Sequence, residues 1–130
     1  MAIPAKLQND IKQFQRVQQD LANVSQQRLQ MDLKLREIKH TLEEIKGLPE
    51  GTPLYRPIGG LLARAKDRAE VEHLLTEDQE TLEVRVKAME RQENALKERY
   101  QTMQREISEA IQASGLGGGS SGPRTDSSER

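Results

Sequence analysis

Cysteine and tryptophan are absent from the 130 residues, and the aromatic side chains amount to one phenylalanine and two tyrosines. Without cysteine there is neither a disulfide framework nor a thiolate metal site, so an intracellular reducing compartment is the expected setting. So few aromatic groups do not line the walled apolar pocket that most enzymes use. The two histidines, His40 and His73, stand far apart with no cysteine beside them, and are expected on the surface rather than on a metal. A net charge of −1 and a pI near 6.2 lack the strongly basic face of a nucleic-acid binder. No run approaches the roughly 20 apolar residues of a membrane span. Met1 to Gln30 has no apolar signal-peptide core, and the expectation is a soluble, cytoplasmic protein with no nucleic-acid or membrane partner. No nucleophile sits with a base, and Gly115 to Gly119 lacks the Lys-Ser/Thr and following helix of a phosphate loop. The chain therefore reads as a non-enzyme with no cofactor and no metal. Glu43-Glu44 and the Glu90/Glu93 pair, considered as acid/base couples, are expected to be solvated.

What is present is charge, at 32%, and a regular apolar spacing. From Leu7 a heptad pattern places Leu7, Phe14, Leu21, Arg28, Leu35 and Leu42 at a, with Asp10, Val17, Val24, Met31, Ile38 and Ile45 at d. No proline or glycine interrupts Ala5 to Lys46, and the spacing predicts a coiled-coil arm over 5–46, ended by Gly47 and Pro49. A second heptad puts Leu75, Leu82, Met89, Leu96, Met103 and Ala110 at d and Gln79, Val86, Glu93, Tyr100 and Ile107 at a. It predicts an arm over 68–113, opened by Asp67 as N-cap with Glu70 at N3 and stopped at Ser114-Gly115. From Leu116 to Arg130 the composition is Gly/Ser-rich and polar, so 114–130 is expected to be a disordered tail.

Between the arms, in the linker and hairpin of 47–66, Leu54, Tyr55 and Ile58 lead into Gly59-Gly60 and Leu61, Leu62 and Ala63 lead out, the pattern of a two-residue β-hairpin. A lone hairpin is marginal in water and its edges carry unpaired main-chain groups. With no third strand in the chain, the covering strands are expected from other subunits, which makes these residues the assembly surface. The fold class is thus mainly α: a long antiparallel two-helix coiled coil joined by a single β-hairpin, occupying 1–113.

Antiparallel pairing of the two heptads brings Leu7 opposite Ala110, Phe14 opposite Met103, Val17 opposite Tyr100 and Leu35 opposite Leu82. Arg28 and Glu93 then occupy adjacent layers of an otherwise apolar seam, where a polar pair fixes register. The first arm carries eight Lys/Arg against six Asp/Glu and the second seven against eleven, a difference that favours their pairing. The free arm ends carry more apolar groups than a two-helix seam uses: Ile3, Leu7, Ile11 and Phe14 on one, Met103, Ile107, Ile111 and Leu116 on the other. Such surface marks a binding site, or a further helix contact.

The Leu7 to Gln19 stretch with its FQRVQQ core, LYRPIGGLL at Leu54 to Leu62 and LEVRVKAMERQENALKE at Leu82 to Glu98, in that order, resemble the β-type subunit of prefoldin, an ATP-independent chaperone family. One hairpin rather than two, and a small polar C-terminal tail, fit the β type and not the α type. Pro53, Pro57 and Gly60 depart from the pattern and bear on the length of strand pairing. The resemblance implies a hexamer of two α and four β subunits, with hairpins closed into β-barrels and arm tips that bind unfolded proteins and deliver them to a group II chaperonin. By position, Leu54 to Ala65 would be the assembly surface, and Ile3, Leu7, Ile11, Phe14, Met103, Ile107 and Ile111 would line the client grip. The rival reading is a structural or tethering coiled coil whose hairpin only reverses the chain.

Overall fold

A stretch with no proline, no glycine and an apolar residue every three or four positions has one low-energy conformation available, the amphipathic helix. In the computed structural model, which describes residues 3–115, that stretch forms α1, Ala5–Lys46. The chain continues through β1, Tyr55–Ile58, and β2, Leu61–Arg64, into α2, Arg68–Ser114. Every a and d position of both heptads is buried or half-buried. The period read from sequence is therefore the period that packs.

Local chemistry sets each boundary. α1 ends in a tightened turn, with the amides of Gly47 and Leu48 donating to the carbonyls of Glu44 and Ile45. The left-handed glycine lies further on than Gly47: Gly51 takes φ of 83° in a turn closed by the Thr52 amide on the Pro49 carbonyl. Pro49 cannot continue a helix, so the reversal falls after it. At the start of α2, Asp67 Oδ1 accepts the Glu70 amide at 2.9 Å, as an N-cap should. The Glu70 carboxylate reaches back one residue further than in the usual capping box, to the Lys66 amide at 2.8 Å. Arg68 Nη2 donates to the carbonyls of Leu48 and Pro49 at 2.7 and 3.0 Å, tying the linker to the first turn of α2. Gly115, at φ of 83°, closes that helix.

The described part of the chain falls into two compact units. One comprises the residues up to Ser25 together with those from Arg91 onward, and the other comprises Gln26–Glu90. In the first, Leu7, Val17 and Val24 form the buried seam, and the Phe14 and Tyr100 rings stack with centroids 4.8 Å apart. Phe14 thus meets Tyr100, a layer away from the Met103 that strict heptad pairing sets opposite it; flat rings span the offset between layers and gain from offset stacking. In the second unit Leu35, Ile38, Ile45, Ala65 and Val86 are buried, and Lys39 Nζ lies 3.8 Å from Glu83 Oε2 on one flank.

Candidate functional site

Among the described residues, the hairpin and the terminal region of the first unit gather apolar groups that the fold does not fully bury. The first is the hairpin. β1 and β2 pair antiparallel as Tyr55 with Arg64, Arg56 with Ala63, Pro57 with Leu62 and Ile58 with Leu61, around the turn Gly59-Gly60. Gly59 has φ of 58° and Gly60 has no positive φ, the sign pattern of a type II′ turn. Side chains alternate across the two strands, so one face shows Tyr55, Pro57, Leu62 and Arg64 and the other Arg56, Ile58, Leu61 and Ala63. Both faces are wet: Leu61 is 74% and Leu62 73% exposed, with Tyr55 and Ile58 at about half. Leu54 and Ala63 are half-buried, and only Ala65, at the root, is buried. Large apolar side chains on two opposite faces of a two-stranded sheet are the mark of an interface rather than of a finished core.

The second place is the terminal region of the first unit. Leu7 is only 4% exposed and belongs to the seam, whereas Ile3 is 41% exposed. Ile11, Phe14, Met103, Ile107 and Ile111 are half-buried. A carboxylate at a d position explains the local surface. Asp10 turns to Lys6 Nζ at 3.0 Å instead of filling the seam, which leaves a groove of about 300 Å³ floored by Met103 and Ile107. Gln13, Arg99, Thr102 and Glu106 complete its rim. The heptad showed Asp10 as a break; the rim from α2 needs the facing register as well, which is why spacing alone did not name it. Leu116, counted with this group by sequence, lies outside the described residues, as does most of the tail.

The seam of the first unit also holds a buried polar side chain. Glu93 is 5% exposed, and Ser25 Oγ donates to its Oε2 at 2.5 Å. The expectation of a solvated Glu93 is overturned, because an a position is turned inward whatever residue occupies it. Arg28 is half-buried and holds Asp32 at 2.6 Å. His40 and His73 are exposed, each beside a glutamate one helical turn on, Glu44 and Glu77. Sequence spacing did not single out Leu29, Leu33 and Val84, which are exposed on outer helix faces. Among the described residues no group of histidines and carboxylates is arranged to hold a metal ion, and no helix is long and apolar enough to cross a membrane.

Comparison with known proteins follows the same lines. A family model described as "Prefoldin subunit" matches residues 8–114. The chain is 39% identical over 109 residues to the prefoldin subunit beta of Thermococcus onnurineus, covering 84% of this chain and 93% of that protein. It is 35% identical over 105 residues to the prefoldin subunit beta of Thermoplasma acidophilum, covering 81% and 85%. Among solved structures, the prefoldin beta subunit from Thermococcus strain KS-1 superposes with a TM-score of 0.77 at 35% identity, over 85% of this chain and 96% of that one.

Proposed function

Since the chain belongs to the prefoldin subunit family and has the β-type fold, we propose that it is one subunit of an ATP-independent chaperone of two α and four β subunits. In this reading it acts in the cytoplasm, assembles through its hairpin, holds unfolded proteins at its helix ends and passes them to a group II chaperonin. The single observation that carries the proposal is the hairpin, with Leu61 and Leu62 nearly three-quarters exposed on opposite faces. Burying a leucine stabilises by about 1.5–3 kcal/mol, so exposing several on a sheet with open edges is costly unless other strands cover them. A tethering coiled coil that only needs to reverse direction has no use for these side chains.

Client holding is the part assigned to the helix ends. Ile3, the Met103–Ile107 groove and the flanking Ile11 and Ile111 offer apolar contact without a shaped pocket, with Leu7 and Phe14 forming the seam beneath. Such contact is weak singly and indifferent to client sequence, and several arms acting on one client raise the avidity. Holding by apolar contact needs no nucleotide.

The test is aggregation of a chemically denatured client, followed by light scattering without nucleotide. Addition of the chain, alone or with an α-type partner, is expected to suppress scattering in proportion to the amount added. The triple variant Ile3→Ser, Ile11→Ser, Ile107→Ser is expected to lose most of that suppression while keeping the assembled mass. A wild-type chain that assembles yet leaves aggregation unchanged would contradict the proposal.

A further inference from the structure

Resting on the proposed function, the distribution of charge around the helix ends narrows the terminal surface to one of its two flanks. In an antiparallel helix pair the e and g positions border the seam on either side, and the observed contacts show which of them share a side. Lys39 and Glu83, both at e, lie 3.8 Å apart, and Lys34, Asp78 and Arg85, all at g, line one depression. The first unit follows the same rule. Gln13, Arg99 and Glu106, all at g, rim the groove over Met103 and Ile107. Ile11 and Ile111 are both at e, so they fall on the flank that the groove does not use.

The two flanks differ in chemistry. From Lys6 to Gln18 and from Gln101 to Ile111, the g and c positions carry Lys6, Arg16, Glu106 and Glu109. The e and b positions over the same turns carry no charge: five are glutamine, two are isoleucine and one is Ser108. Solvent-facing helix positions are ordinarily where a chain places its charges, and 32% of this chain is charged. Ile11 and Ile111 are half-buried and the glutamines are exposed. Gln8 Nε2 donates to the Ile3 carbonyl, whereas Gln15, Gln18, Gln101 and Gln104 have no hydrogen-bond partner among the described residues.

We infer that this uncharged flank holds unfolded clients as extended segments, with Ile11 and Ile111 taking apolar side chains and the glutamine amides taking the client's main chain. A glutamine amide both donates and accepts, as a peptide group does, so the row pairs with a backbone running in either direction and beside any side chain. Only an unfolded chain offers that backbone, because the main-chain groups of a folded protein are already paired. A charged rim would instead select clients by their charge and would have to shed bound water at each ion. The groove flank has such a rim, with Arg99 and Glu106 on it. The class of client segment recognised is therefore apolar-rich and uncharged, with its main chain unpaired.

The test is fluorescence anisotropy of a short labelled peptide of leucine, valine and serine, titrated with the chain, alone or with an α-type partner. Affinity is expected to change less than about twofold between low and high salt, and to fall on the order of tenfold when the peptide is N-methylated along its main chain. Gln15→Lys with Gln104→Lys adds two charges to the uncharged flank, and Gln13→Lys with Thr102→Lys adds the same two to the groove flank. The first pair is expected to weaken binding on the order of tenfold and the second less than about threefold. All four positions are exposed, so helix content is expected to be retained in both. Equal losses, or a larger loss from the groove pair, would overturn the flank assignment and leave the proposed function standing. An N-methylated peptide that binds as tightly as its parent would overturn the role given to the glutamines. An assembled wild-type chain that binds neither peptide would overturn the inference together with client holding.

Discussion

Glu93 shows what one polar side chain does in an apolar seam. A carboxyl group 5% exposed is costly to bury without donors, and Ser25 Oγ at 2.5 Å supplies one. Ser25→Ala removes that donor and leaves the oxygen less satisfied, so a loss of about 1–3 kcal/mol is expected in chemical denaturation. An unchanged midpoint for Ser25→Ala would show that the hydroxyl contributes nothing to this layer.

At the scale of elements, the termini of the helices carry as much information as their interiors. Asp67 caps α2 through the Glu70 amide, and Asp67→Ala is expected to destabilise by about 1 kcal/mol. Thermal unfolding followed by circular dichroism reads this out, and no shift in Tm would contradict the capping assignment. Sequence reading reached two long helices, which the structure has as Ala5–Lys46 and Arg68–Ser114, because a seam repeats its pattern over many turns and so over-determines itself. It also reached the hairpin, because Gly59-Gly60 between apolar runs has few other uses. The features it missed depend on partners rather than spacing. Phe14 meets Tyr100 only because two flat rings reach across a layer, and the left-handed turn settles on Gly51 rather than Gly47 because Pro49 delays the reversal. Leu7 was grouped with the exposed tip by its place in the chain, but as an a residue it is buried.

For the whole molecule, the two apolar surfaces lie in different compact units: the hairpin within Gln26–Glu90, and the terminal groove in the unit formed by the residues up to Ser25 and from Arg91. If the hairpin assembles and the terminal region holds clients, as proposed, the two roles are expected to be altered independently by mutation. In the proposed function the hairpin would use its apolar groups in joining chains, whereas the terminal residues would keep theirs available. The account requires that the hairpin never stands alone in solution. Its most direct test is the mass of the purified chain by multi-angle light scattering, beside that of Leu61→Asp with Leu62→Asp, which places a charge on each face of the hairpin. The wild type is expected at a multiple of the 14.7 kDa chain and the variant at a single chain with its helix content retained. A wild-type chain running at 14.7 kDa would contradict the account.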